Sequence, residues 1–214
     1  MPGLSDNGEN QVLNEIYNSG AGTFPAADVF ISLHTADPAD TGANEVAGGS
    51  YVRQQAAFDT ASAGVIDNDA NIDFASMPAT TVVAWGAWDA STAGNCFQVG
   101  WLSTVSGLGV VRTADQTTND IQGVAHGLVG DDRVVFEQIE GLTTPTGITL
   151  GTLYFVLTAG LTTDTFNFST TSGGAEVDIT GNGSVIWRKV TPKVVNSGDT
   201  FRIAAGDLDI FATE

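Results

Sequence analysis

The sequence predicts an all-β protein, an antiparallel β-sandwich or barrel with one short N-terminal helix and a second, small β domain inserted near the C-terminal end. Three observations carry this expectation. The apolar runs are short, rich in β-branched and aromatic residues, and bounded by Gly, Asp, Asn and Pro, which is strand-and-turn chemistry. Helical periodicity is confined to the first segment. The style of the sequence changes near Val110 and changes back near Lys193, as an insertion would make it do.

In the first segment Asp6 and Glu9 have the spacing of an N-cap and its partner three residues on. Val12, Leu13, Ile16 and Tyr17 fall on one face, and Gly20 and Gly22 are placed to end the helix. A helix of about 12 residues is marginal alone, so this face must dock, either on its own sheet or on a neighbouring subunit. Residues 28–58 then read as strand, polar loop, strand, with 29–33 and 51–56 flanking a loop of Asp, Gly, Asn and Pro. Residues 64–66 and 72–74 read as a short strand pair interrupted by DNDAN, and 76–79 as a turn. Residues 82–89 are the most hydrophobic strand, with Ala and Gly alternating with Trp as expected where one sheet face packs closely on another. A tight polar loop, 89–95, leads to a return strand over 96–102.

Residues 113–120, TADQTTND, read as a linker or a lead-in strand. Beyond them short strands recur at near-regular spacing as far as Lys189, the pattern of a small barrel or sandwich. The expected organisation is a discontinuous sandwich of residues 1–111 plus 190–214, with 112–189 inserted at a loop tip, where insertions are well tolerated.

Composition narrows the function classes. The 214 residues carry 25 acidic and 7 basic side chains, a formal net charge of −18. That balance argues against nucleic-acid binding, which needs clustered Lys and Arg against phosphate, and it favours solubility. Apolar residues make up 42% of the chain, enough for a core, but no run approaches the ~20 residues of a membrane span. MPGLSDNGEN has neither basic residues nor an apolar stretch and is read as neither a secretory signal nor a transit peptide. Cys96 is the single cysteine, so a disulfide framework within the chain is excluded, and a buried inert thiol made in a reducing cytoplasm is expected.

No constellation names a reaction. Asp67, Asp69, Asn71 and Asp73 have the spacing that opens a calcium loop, yet Ile72 stands where Gly is needed and Pro78 where a bidentate Glu belongs. Asp37, Asp40 and Glu45 share one loop and could hold a cation, but Asp beside Pro and Gly is ordinary turn chemistry. His34 and His126 are too far apart in sequence for a zinc pair, and no nucleophile elbow accompanies either. Trp85, Trp88, Trp101 and Trp187, with Tyr51 and Tyr154, could form a sugar-stacking platform, although each sits in a strand-like run where core packing explains it. No cofactor and no metal are expected.

The run LHTADP over 33–38, with Thr41-Gly42, Glu45-Val46, Gly48-Gly49, Tyr51 and Arg53, resembles the N-terminal signature of small tail-fibre-like or minor virion proteins of tailed bacteriophages. Trp88-Asp89 with Gly94-Asn95, and Ser197-Gly198-Asp199 with 204–206, extend the resemblance over roughly two thirds of the chain. His126-Gly127-Leu128, Asp131, Arg133-Val134, Tyr154 and 164–166 are similar to a small β module found in phage tail and virion proteins. The resemblance implies a non-enzymatic structural protein on the outer surface of a phage virion, synthesised in the bacterial cytoplasm. Capsid decoration or cement is favoured over a minor tail or tail-fibre protein, because no coiled-coil or triple-helical shaft is present. A glycan- or receptor-binding module is the alternative of another class, and a virion-associated hydrolase a third. The implied partners are the major capsid protein or tail and baseplate proteins, and further copies of the chain, a trimer being compatible with either position; nucleic acid and membrane are not among them. The expected contact surface is Val12, Leu13, Ile16 and Tyr17 of the helix with Asp37, Asp40 and Glu45 of the loop.

Overall fold

A computed structural model describes residues 6–17, 28–102, 112–123, 125–137 and 141–211, apart from the side chains of 6–11, 40, 112 and 211. In chain order the elements are α1 (Asp6–Tyr17), β1 (Val29–His34), a 3₁₀ turn (Ala39–Thr41), β2 (Gln54–Ala56), β3 (Val65–Ile66), β4 (Ile72–Phe74), β5 (Thr80–Val82), β6 (Ala84–Trp88) and β7 (Cys96–Trp101). There follow β8 (Arg112–Asp115), β9 (Asp120–Gln122), β10 (Arg133–Glu137), β11 (Leu153–Val156), β12 (Thr165–Phe166), β13 (Phe168–Ser169) and β14 (Gly183–Val190). The last three are β15 (Lys193–Val195), β16 (Phe201–Ile203) and β17 (Ile210–Phe211). The protein is all-β, with α1 its one α-helix among the described residues. The chain divides into two compact units, Met1–Gly100 with Lys193–Glu214, and Trp101–Pro192.

The first unit is built on a sheet of order β2-β1-β6-β7. β1 lies between antiparallel partners and is buried on both faces, which is why its sequence lacks the polar alternation of a half-exposed strand. Ile31 and Leu33 face one side with Ala87 and Trp85; Ser32 and His34 face the other with Gly86 and Ala84. α1 buries Leu13 and Tyr17, and the Tyr17 ring meets Phe58 and Phe97 edge-on at 4.9 and 5.6 Å. Gly20 and Gly22, expected to end this helix, lie outside the described residues, as does the Asp6 side chain.

The same unit carries a long, interrupted two-stranded ribbon. β5 pairs with β15, β4 with β16 and β3 with β17, all antiparallel. The register is constant from Val82 opposite Lys193 to Phe74 opposite Phe201, then slips by one residue at Ile66 opposite Ile210. The expected pairing of 64–66 with 72–74 is therefore corrected: each pairs instead with the C-terminal segment. Local pattern marks a strand but not its partner, and the partners here lie more than a hundred residues away. Where the ladder opens between β4 and β3, Asn68 bridges it. Its buried amide donates to the Ala70 and Ala204 carbonyls at 2.7 and 2.8 Å and accepts from the Leu208 N–H at 2.9 Å.

In the second unit a seven-stranded sheet runs β12-β9-β8-β14-β10-β11-β13. Only Asn167 separates β12 from β13, so one extended segment forms both edges and the sheet closes on itself as a small barrel. Phe166 and Phe168 point inward on either side of that corner, with Phe136, Tyr154 and Ile121. The Phe136–Phe168 and Tyr154–Phe168 ring centroids are 4.9 and 5.0 Å apart. Asn167 itself is buried and donates to the Thr118 and Asn119 carbonyls at 3.1 Å each. Residues 113–120 are a β-hairpin, β8 to β9, rather than a linker; their Thr and Asn content reflects the turn at 116–119 and an exposed outer face.

Asn68→Ala removes three hydrogen bonds across the opened ladder and leaves the buried Leu208 N–H without this acceptor, and is expected to cost the first unit about 2 kcal/mol in urea unfolding. A loss below about 1 kcal/mol would mean that Asn68 does not hold the ribbon together.

Candidate functional site

The loop between β1 and β2 folds back over the His34 face of the sheet. Pro38 leads into the 3₁₀ turn, and Gly42 ends it in the left-handed region at φ 67°. The Asp37 carboxylate accepts from the Ala39 N–H at 2.9 Å, the Asn44 amide donates to the Asp37 carbonyl at 2.6 Å, and the Val46 N–H to the Leu33 carbonyl at 2.8 Å. A Cβ on Gly42 would overlap the Trp88 ring, so this close approach of loop to sheet is open only to glycine.

Arg53 clamps the loop in place. Its Nε and Nη2 donate to the Glu45 carboxylate at 3.0 and 2.8 Å, and its Nη1 to the Ala93 and Ala90 carbonyls at 2.7 and 3.2 Å. The guanidinium lies 3.3 Å over the Trp88 ring. Glu45 also accepts from the Tyr51 hydroxyl at 3.1 Å, and that hydroxyl accepts from the Leu33 N–H at 2.8 Å. The Arg53 side chain is only 9% exposed, so the pair is strengthened by desolvation and correspondingly costly to break. Burial raises the Tyr51 hydroxyl far above its ordinary value and keeps it a neutral donor.

Beneath the loop lies a second chain of hydrogen bonds. His34 is fully buried, and its Nδ1 faces the Ala43 carbonyl at 2.6 Å, so Nδ1 carries the proton and Nε2 is an acceptor. The Ser32 hydroxyl donates to Nε2 at 2.7 Å and accepts from the Trp88 Nε1–H at 2.7 Å. Gly86 makes the room, since a Cβ there would press on both Ser32 Oγ and His34 Nε2. Burial lowers the His34 pKa, opposed by the Ala43 bond and the Glu45 charge and reinforced by Arg53. A serine bonded to a histidine has the outline of a nucleophile and base, but both side chains are sealed from solvent, so no substrate reaches them.

Of the residues expected to make contacts, Leu13 and Tyr17 are spent in the chain's own core, Ile16 is half-buried, and Val12 is 42% exposed. The Tyr17 hydroxyl is buried with no hydrogen-bond partner, and burial raises its pKa. Asp37 is half-buried in its own turn and Glu45 is held by Arg53; the Asp40 side chain lies outside the described residues. The calcium-like run is dispersed: Asp73 pairs with Arg202 at 2.6 Å, Asn71 accepts from the Ala205 N–H, and buried Asn68 bridges the ribbon. Among the described residues no group of three or more His, Cys, Asp or Glu could hold a metal ion. Trp85 and Trp88 are core, and Trp187 packs on the barrel interior. Sequence reasoning missed the Arg53 clamp, although a signal existed: Arg53 is the one basic residue in the first 111.

Gly42→Ala adds both a left-handed strain and a clash with Trp88, and is expected to cost about 3 kcal/mol or more in chemical denaturation. Gly48→Ala, at φ 93° with open space around its Cβ, should cost only about 1 kcal/mol. Equal losses would contradict the close packing of loop on ring.

Among the described residues no helix is long and apolar enough to cross a membrane. A search of curated proteins finds no match to the chain. The family model described as podophage GP4 fiber I protein gp80 matches residues 3–123, a span that takes in α1, the clamped loop, the β2-β1-β6-β7 sheet and the β8–β9 hairpin. The match covers more than half of the 214 residues, and the chain belongs to the podophage GP4 fiber I protein gp80 family.

Proposed function

We propose that the chain is a non-enzymatic structural component of a tailed-phage virion, part of its fibre apparatus, which attaches through the clamped 35–52 loop and the outer side of α1. The observation that carries this reading is the family match over residues 3–123, which takes in both elements. Of the two virion positions weighed from the sequence, the family's description favours the fibre over capsid decoration. The lack of a shaft motif then fits a body or cap carried on a fibre rather than the rod itself.

The loop's outer surface suits protein contact. Thr35, Ala39, Thr41, Ala43, Asn44 and Ser50 are exposed, small and uncharged, and Val52 is 59% exposed. In a chain of net charge −18, the exposed uncharged positions of this loop, beside a Glu45 neutralised by Arg53, meet a protein partner, or another copy, with less repulsion than a run of free carboxylates would. Six cationic side chains are committed within the chain. Arg53, Arg188, Lys189 and Arg202 form ion pairs, and Arg133 and Lys193 lie over Phe155 and Phe201. None of these six is left unpaired to meet a phosphate backbone, in keeping with a protein rather than a nucleic-acid partner.

Quantitative mass spectrometry of purified virions, ratioed to the major capsid protein, is expected to give from about three to a few dozen copies, as fibre symmetry requires. Hundreds of copies would place the chain on the capsid lattice. Val12→Asp and Val52→Asp leave the core untouched and should preserve the melting temperature while reducing incorporation into particles. Undiminished incorporation of both variants would remove this surface from the attachment reading.

A further inference from the structure

The buried His34 sits at the point where the loop meets the sheet, beneath the Arg53–Glu45 pair that clamps the loop from its far end. His34 Nδ1–H is bonded to the Ala43 carbonyl, and Nε2 accepts the Ser32 hydroxyl proton. The groups that bear on it are few. Glu45 and Arg53 contribute opposite charges, Tyr51 is a neutral hydroxyl bonded to Glu45, and the β6 strand beneath supplies only Gly86 and the Trp88 indole. We propose that His34 is a proton-operated latch: the loop over residues 35–46 is closed on the sheet while the imidazole is neutral and is released when it takes up a proton.

The hydrogen-bond inventory gives the reason. With His34 neutral, Ser32 Oγ donates once, to Nε2, and accepts once, from Trp88, and every group is satisfied. Once Nε2 carries a proton it must donate as well, so Ser32 Oγ receives two donors. Its own hydrogen is then left to the Gly86 carbonyl at 3.3 Å, a long bond. The new cation would also lie fully buried in the field of the Arg53 guanidinium, and Glu45, the carboxylate that acts on it among the described side chains, is already committed to that guanidinium. Swinging the loop out places the cation in water. The sign follows: the closed state holds the proton less tightly than the open one, so closure is favoured at neutral pH. It weakens as pH falls below about 6.5, the ordinary value for an exposed imidazole.

Two measurements test this on the full chain. Amide hydrogen exchange at 35–46, corrected for the intrinsic pH dependence, should speed up roughly thirty-fold between pH 7.5 and pH 5.0, while the ribbon amides near Asn68 keep their protection. The chain has only two histidines, so an NMR titration resolves both, and His34 should protonate below the ordinary range. His34→Gln keeps a donor and an acceptor but does not titrate; its loop exchange should lose the pH dependence, whereas His126→Gln in the barrel should retain it. If His34→Gln fails to fold, the wild-type exchange and titration decide alone. The latch is overturned if loop protection is unchanged between pH 7.5 and pH 5.0, or if His34 titrates at its ordinary value.

Discussion

The placement of one guanidinium governs the first unit. Arg53 is the lone cation among the first 111 residues, and in the folded chain it is shared by the Glu45 carboxylate, the Ala90 and Ala93 carbonyls and the face of Trp88. Those partners come from three separate segments: the β1–β2 loop, the β6–β7 turn and β6 itself. Without the guanidinium the 35–50 segment would be a polar loop with small side chains and little apolar surface to hold it. With it the segment becomes a rigid cover, under which Ser32, His34 and Trp88 complete one another's hydrogen bonds. A firmly held loop spares the proposed contact the cost of ordering it on binding.

The ribbon is the second constraint, and it explains how a barrel is accommodated within one chain. β15, β16 and β17 return along β5, β4 and β3 after the whole Trp101–Pro192 unit has intervened. At the base of that unit the Thr191 N–H donates to the Leu102 carbonyl at 2.7 Å, so the departing and returning strands meet there. Closure of the barrel through the 165–169 segment leaves the described strands of this sheet no free edge, which limits unwanted strand pairing.

Much of this was legible in the sequence because strand content is a local property. The runs at 29–33, 72–74 and 96–102 announce themselves by β-branched and aromatic residues between turn formers, and α1 by the spacing of Leu13 and Tyr17, whereas the run read as one strand over 82–89 is divided, Thr80–Val82 pairing with β15 and Ala84–Trp88 with β1. Pairing was not legible, because Ile72 and Phe74 carry no mark of the Phe201 and Ile203 they meet. The β8–β9 hairpin was obscured by its own turn chemistry, its Thr, Asp and Asn outweighing the inward Ala114 and Ile121. At the site, helical spacing correctly put Leu13 and Tyr17 on an apolar face but could not say that the chain itself covers it. Arg53 was visible as a signature position and as an isolated basic residue in an acidic chain, but its partners lie as far as forty positions away.

Arg53 and Glu45 act as one desolvated unit holding the loop to the sheet. A double-mutant cycle of Arg53→Met and Glu45→Gln, read by urea unfolding at pH 7.5, isolates that unit from the burial of either side chain alone. A coupling of about 2 kcal/mol or more is expected, with each single variant losing nearly as much as the pair. A coupling below about 0.5 kcal/mol, the range of an exposed ion pair, would contradict it and return the loop to an ordinary surface turn.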